Sequence, residues 1–156
     1  MKAADCLTAD VIQLNHTAVD WEAALRAGGG LLVRAGKCTP AYVDAMVAAV
    51  RQMGPYVVLA PGIALGHARP QDGALGTGIS LVTLAKGVDF GSPENDPVWL
   101  VISFCAGDDD GHIDLLKDLA RFLGNEVNIQ RLKTAKTAPE VLRVLVNSER
   151  GGTQHG

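Results

Sequence analysis

The segment Val98-Trp-Leu-Val-Ile-Ser-Phe-Cys105 limits the folds open to this chain more than any other. Only Ser103 interrupts its apolar character, and Pro97 and Gly107 bracket it at a length suited to a strand. Apolar residues at consecutive positions, without alternation, read as a strand covered on both faces. Such a strand needs a layer above it and a layer below it, and helical signals elsewhere can supply both. The expected fold is therefore α/β, a mixed β-sheet flanked by helices on both faces, in a single layered domain over residues 1–150. A chain of 156 residues, 47% of them apolar and 20% charged, is sufficient for one such core. The last six residues, Gly151 to Gly156, read as a disordered tail in which His155 is solvated.

Local signals place the elements. Asp20 can cap a helix whose stripe is Trp21, Ala24, Leu25, Gly28 and Leu32. The Gly28-Gly29-Gly30 run either permits close packing or breaks that helix, since each helical glycine costs about 1 kcal/mol against alanine. Thr39 and Pro40 open a second helix with Val43, Met46, Val47 and Val50 on one face, Arg51 in its last turn and Gly54 at its end. Strands are expected at Val11–Leu14, Tyr56–Leu59, Ile79–Leu84 and Val98–Cys105. Beyond Cys105 a helix carries Ile113, Leu116 and Ala120 on one stripe, with Leu115, Leu119 and Phe122 beside it, and stops at Gly124. Thr137-Ala-Pro-Glu140 opens a final helix with a capping-box pattern.

Several function classes are disfavoured. Fourteen basic against seventeen acidic residues give a net charge of -3, which argues against a nucleic-acid binder that works by neutralising phosphates. Val98 to Ala106 spans nine residues, one of them Ser103, where a membrane helix needs ~20. Asp5 and Asp10 interrupt anything like the apolar core of an export signal. Cys6, Cys38 and Cys105 are odd in number and form no CxxC pair, so reduced, mostly buried thiols in a cytoplasmic protein are expected. Gly36-Lys37-Cys38 lacks the earlier glycine and the hydroxyl of a P-loop. Gly76-Thr-Gly78 precedes a strand, so it is no dinucleotide fingerprint. Neither a GxSxG elbow nor an HExxH pair occurs.

Chemistry concentrates in Ala60-Pro-Gly-Ile-Ala-Leu-Gly-His-Ala-Arg-Pro70. Two prolines and two glycines restrict this backbone and suggest a shaped loop that presents His67. Arg69 stands two residues on, the spacing that puts both side chains on one side of an extended segment. An imidazole nitrogen can attack phosphorus while a guanidinium balances charge on the phosphate oxygens; an ordinary loop histidine is the competing reading. His112 follows the buried strand and opens a helix, where α/β domains place ligands and where helix N-termini favour anions; it could equally be a histidine of the first turn with no further role. Asp108-Asp-Asp110 fits helix capping, with a rim toward a basic partner as a second role. His16 lies outside any motif and reads as structural. No close ligand pair supports a zinc site from His67, Cys105 and His112.

Gly54-Pro-Tyr-Val-Val-Leu-Ala-Pro-Gly-Ile-Ala-Leu-Gly-His-Ala-Arg-Pro70 resembles the active-site region of enzyme IIA components of the bacterial phosphoenolpyruvate:sugar phosphotransferase system. Within the mannitol/fructose superfamily the likeness is to the L-ascorbate branch. Phe90-Gly-Ser-Pro-Glu-Asn-Asp-Pro97, the apolar strand and the histidine at the next helix start match that branch too. The likeness runs over residues 8 to 146. It implies that His67 accepts a phosphoryl group from the phosphohistidine of the carrier HPr and passes it to a cysteine of an enzyme IIB, upstream of a separate membrane IIC. It implies that His112 helps to hold the group, that Arg51 matches an active-site arginine, and that Arg69 belongs to the motif of the ascorbate-like branch. No metal or other cofactor is implied, and a homodimer is compatible with the pattern.

Two departures stand out. Gly66 replaces the proline usual before the active histidine, which would loosen the positioning of His67; the triple glycine is the other. A transferase fits the physics, because phosphoryl transfer asks the protein mainly for positioning and charge stabilisation. The same residues would also serve a phosphorylation-sensing module that docks on a transcription regulator or transporter. A structural domain with a dead site is weaker, because His67, His112 and Arg51 are all present. The net charge of -3 is compatible with docking on basic-rimmed carriers.

Overall fold

A computed structural model describes the backbone of residues 2–155 and the side chains of residues 2–149; the side chains of the tail expected over 151–156, His155 included, lie outside the described residues. The elements in chain order are α1 (Ala3–Cys6), β1 (Ile12–His16), α2 (Trp21–Arg34), α3 (Pro40–Met53), β2 (Val58–Ala60), β3 (Ile63–Gly66), β4 (Gly78–Val88), β5 (Val98–Cys105), α4 (Asp109–Leu123), α5 (Glu126–Thr134) and α6 (Ala138–His155). The strands form one five-stranded sheet in the order β1-β4-β5-β3-β2. β1 runs parallel to β4 and β3 parallel to β5, while β4 with β5 and β2 with β3 are antiparallel, so the sheet is mixed. β5 lies at its centre and buries every residue but Trp99, as a strand covered on both faces must.

The expected helices form where their caps stand. Asp20 accepts the Ala23 N–H at 2.9 Å, and Asp108 accepts the Gly111 N–H at 2.7 Å. The Asp108–Asp110 run thus does the capping expected of it. Pro40 opens α3 and Gly54, at φ 83°, closes it. On α4 the buried stripe is Leu115, Leu119 and Phe122, whereas Ile113 is exposed. Three elements were not legible: α1, α5 and β3. The segment before His67 is therefore no loop. Pro61 and Gly62 make the turn between β2 and β3, with Gly62 at φ 78°, and all four residues of β3 are buried. Four residues between glycines and prolines carry too little pattern to announce a strand.

The glycine run resolves in favour of packing. α2 is continuous, and each glycine meets a different neighbour. A Cβ on Gly28 would stand 2.6 Å from the Ser103 Oγ, and one on Gly29 would stand 2.7 Å from Val43 of α3. Gly30 has open space beside it. The helix therefore lies directly on the Ser80 and Ser103 face of the sheet, where the Ser80 hydroxyl donates to the Gly28 carbonyl at 2.8 Å. Gly66 is part of the same contact. It pairs in register with Ser103, and a Cβ there would come within 2.8 Å of the Ser103 Oγ and 3.1 Å of Leu25. The glycine before His67 is thus a buried strand residue pressed under α2, which removes the looseness expected of it.

Alanine substitutions should divide accordingly. Gly30→Ala should stabilise by up to about 1 kcal/mol by removing backbone entropy. Gly28→Ala should cost about 1–3 kcal/mol, because the added methyl must displace Ser103 or lift the helix. Urea midpoints of the two variants check this; equal effects would mean that α2 does not rest on the sheet.

Candidate functional site

Strand pleat decides which way the site residues face. Side chains alternate across a sheet, so Gly66 faces α2 and α3, His67 faces the opposite layer and Ala68 turns back. Phe104 shares the face of His67, since its neighbour Ser103 packs beneath Gly28. The His67 ring lies nearly parallel to the Phe104 ring, with centroids 5.3 Å apart and planes at 20°. His112, on the first turns of α4, closes the group: its ring centroid is 5.0 Å from Phe104 and 5.7 Å from His67. Tyr56 stands edge-on to the His67 ring at 5.7 Å. The two histidines singled out in the sequence thus share one cluster of aromatic rings.

One hydrogen bond sets the chemistry of His67. Its Nδ1 lies 2.9 Å from the carbonyl oxygen of Leu65. A carbonyl only accepts, so Nδ1 carries the proton and the lone pair of the neutral ring belongs to Nε2. Burial depresses the imidazole pKa below its ordinary value; the Leu65 carbonyl opposes this, and His112 adds to it. Burial likewise depresses that of His112, against an opposing pull from Asp109. The Nδ1 of His112 is buried with no hydrogen-bond partner among the described residues. The arrangement is a neutral nitrogen nucleophile beside a second neutral ring with unused hydrogen-bonding capacity.

Both arginines stand apart from this pair. Arg69 is exposed and bound to Asp72, its guanidinium donating at 3.2 and 3.3 Å and its backbone N–H at 2.9 Å. Arg51, on the exposed side of α3, pairs with Glu22 of α2, which also holds Arg26. Among the described residues, neither arginine is hydrogen bonded to His67 or His112. The His16 Nδ1 lies 2.7 Å from the side-chain amide nitrogen of Gln13. Cys38 and Cys105 are buried and Cys6 is partly so. Among the described residues no group of three or more histidines, cysteines or carboxylates could hold a metal ion.

Phe104, Tyr56 and Tyr42 were missed as site residues. Tyr42, on α3, is fully buried with its hydroxyl at the backbone of Ala68 and Phe104. Its one sequence signal was its place on the core face of α3, since a buried phenol needs a hydrogen-bond partner.

Comparison with known proteins identifies the family and the fold. Residues 5–148 match the family model described as phosphoenolpyruvate-dependent sugar phosphotransferase system, EIIA 2. A protein of Escherichia coli K12 named ascorbate-specific PTS system EIIA component is 38% identical over 147 residues, which is 93% of this chain and 96% of that one. The protein of the same name from Salmonella typhimurium LT2 is 39% identical over the same shares. The solution structure of the mannitol-specific cryptic phosphotransferase enzyme IIA of E. coli superposes with a TM-score of 0.84 at 33% identity, covering 93% of this chain and 98% of that one. A chain from the E. coli complex of mannitol enzyme IIA with phosphorylated enzyme IIB superposes with a TM-score of 0.78 at 32% identity, covering 90% of this chain and 97% of that one.

Titration should show both depressed histidines. Imidazole NMR signals of His67 and His112 should have midpoints below the ordinary ~6.5. Because the unfolded chain binds these protons more readily, the stability they carry is present above about pH 6.5 and lost as pH falls through the folded midpoints. A midpoint for His67 at or above 6.5 would contradict the buried, Leu65-bound ring.

Proposed function

This chain belongs to the EIIA 2 family of the phosphoenolpyruvate-dependent sugar phosphotransferase system, and on that premise we propose that Nε2 of His67 carries the phosphoryl group. The protein is a phosphocarrier of that system and hands the group to an enzyme IIB. The observation that supports the atom is the bond from Nδ1–H to the Leu65 carbonyl, which reserves Nε2 as the nucleophile. In the proposed cycle Nε2 attacks the phosphorus of phospho-HPr, and the donor nitrogen leaves with its electron pair. The charge then gained by the ring is stabilised by the Leu65 carbonyl facing Nδ1–H. A cysteine thiolate of enzyme IIB next attacks phosphorus, and Nε2 departs with the electron pair it brought. No proton need move in either step.

His112 is the second active-site histidine of this reading, its free hydrogen-bonding capacity available to a phosphoryl oxygen. Of the two arginines, both exposed, Arg69 stands two residues from His67 in the chain. Its ion pair with Asp72, like that of Arg51 with Glu22, is of the surface kind worth about 0–1 kcal/mol, so a phosphoryl group could displace either carboxylate. Tyr56 and Ile113, both exposed, put apolar surface beside the histidines for a partner to cover. Among the described residues no helix is long and apolar enough to cross a membrane, which fits a cytoplasmic carrier serving a separate IIC. The names of the relatives support L-ascorbate as the sugar.

Incubation with phospho-HPr and a cognate enzyme IIB tests this. The wild type should acquire an acid-labile phosphoryl group on Nε2, identified by its phosphorus NMR shift, and His67→Ala should acquire none. His112→Ala should accept the group but pass it on about tenfold more slowly or worse. Equal labelling of wild type and His67→Ala would refute the site, and unchanged transfer by His112→Ala would remove its role.

A further inference from the structure

Tyr42 is the third residue of α3 and is 0% exposed. Its hydroxyl accepts the N–H of Ala68 at 3.0 Å and lies 2.9 Å from the carbonyl of Phe104 and 3.1 Å from that of Ala68. With one proton to give, it donates to these two carbonyls, foremost the nearer one. Both contacted residues define the setting of His67: Ala68 follows it in the chain, and the Phe104 ring lies against the imidazole. The peptide group between His67 and Ala68 is in fact held at both ends. Tyr42 takes its N–H, and the Tyr56 hydroxyl, 3.4 Å from the His67 carbonyl, reaches its other end. These are the two tyrosines of the chain. Burial pushes the Tyr42 phenol well above its ordinary pKa, so it stays a protonated donor.

We propose that Tyr42 is a positioning residue for phosphoryl transfer, fixing the imidazole of His67 by clamping Ala68 to the Phe104 backbone. This rests on the reading of His67 as the phosphoryl acceptor. The Leu65 bond selects the tautomer and sets one edge of the ring. Tyr42 sets where the ring stands relative to Phe104, and hence where Nε2 meets an incoming phosphorus atom. The clamp crosses the sheet, so α3 acts on a residue of the opposite face through one hydroxyl.

Tyr42→Phe tests the clamp, with Val47→Ala, a buried change on the same helix far from the hydroxyl, as a control for packing loss alone. The maximal rate of phosphoryl acceptance by Tyr42→Phe should fall about tenfold or more, with the KM for phospho-HPr changed by less than about twofold. The His67 ring signals should also shift and broaden as the ring loses its fixed place against Phe104. Val47→Ala should keep the wild-type rate and ring signals. Wild-type values for Tyr42→Phe, or both losses in Val47→Ala, would overturn the proposal. If the wild type takes up no phosphoryl group, the reading of His67 fails, and the ring signals still decide whether Tyr42 sets the imidazole. If Tyr42→Phe does not fold, hydrogen exchange of the Ala68 amide in the wild type decides: protection equal to that of the β3 amides supports the clamp, and exchange at the rate of an open loop overturns it.

Discussion

The contact of α2 with the sheet at Gly28 underlies the rest of the structure. A helix normally stands off a sheet by the height of its side chains, but here the backbone of α2 rests on Ser80 and Ser103. Two further glycines extend the contact, Gly29 toward α3 and Gly66 from below. The arrangement has a cost: among the described residues the Ser103 hydroxyl is buried without a partner, a loss of about 1–3 kcal/mol. It also uses glycine in a helix, against propensity. Close packing offsets both, because a dense layer regains dispersion contacts along the whole interface. The consequence for the site is geometric. With α2 low on the sheet and α3 pressed to Gly29, the Tyr42 hydroxyl comes within hydrogen-bonding distance of the Ala68 and Phe104 backbone.

The parts of this architecture that were legible in the sequence are those written locally. β5 announced itself by an apolar run that only Ser103 interrupts, and α2, α3 and α4 by caps that sit where the helices start. β3 was hidden because four residues between Gly62 and His67 look like loop chemistry, and their burial comes from pairing with a distant strand, β5, where Ile63 lies opposite Leu100. The glycine run could be read in two ways from sequence, since only the neighbours of each glycine decide whether it is a break or a contact. Likewise Gly66 appears permissive in sequence and is tightly confined in space.

The site divides along the same line. His67 and His112 were marked by their motif and by their places at strand and helix ends. Phe104 and Tyr56 join them through register and hairpin geometry, which a linear reading does not contain. The expected pairing of Arg69 with His67 failed locally. The backbone leaves β3 at Gly66, and Asp72 takes both the backbone N–H and the guanidinium of Arg69 in the next turn.

A carrier must hold its cargo firmly enough to avoid losing it to water and loosely enough to give it up. The site meets both demands with neutral groups. In the proposed cycle the part-buried imidazole of His67 is a good nucleophile because it is unprotonated, and phosphorylation, by making it cationic, would make it a good leaving group. The Leu65 carbonyl moderates that charge without cancelling it, since it is a dipole and carries no full charge. A carboxylate in its place would stabilise the phosphorylated ring more and repel the phosphoryl oxygens. In the same proposal the exposed arginines, kept on half-buried carboxylates, fit this logic: a guanidinium locked permanently onto the phosphoryl group would deepen the well from which the next acceptor must draw it. A weak, screened ion pair that exchanged partners at the moment of docking would leave the free energy of the carried group close to that of its neighbours in the relay.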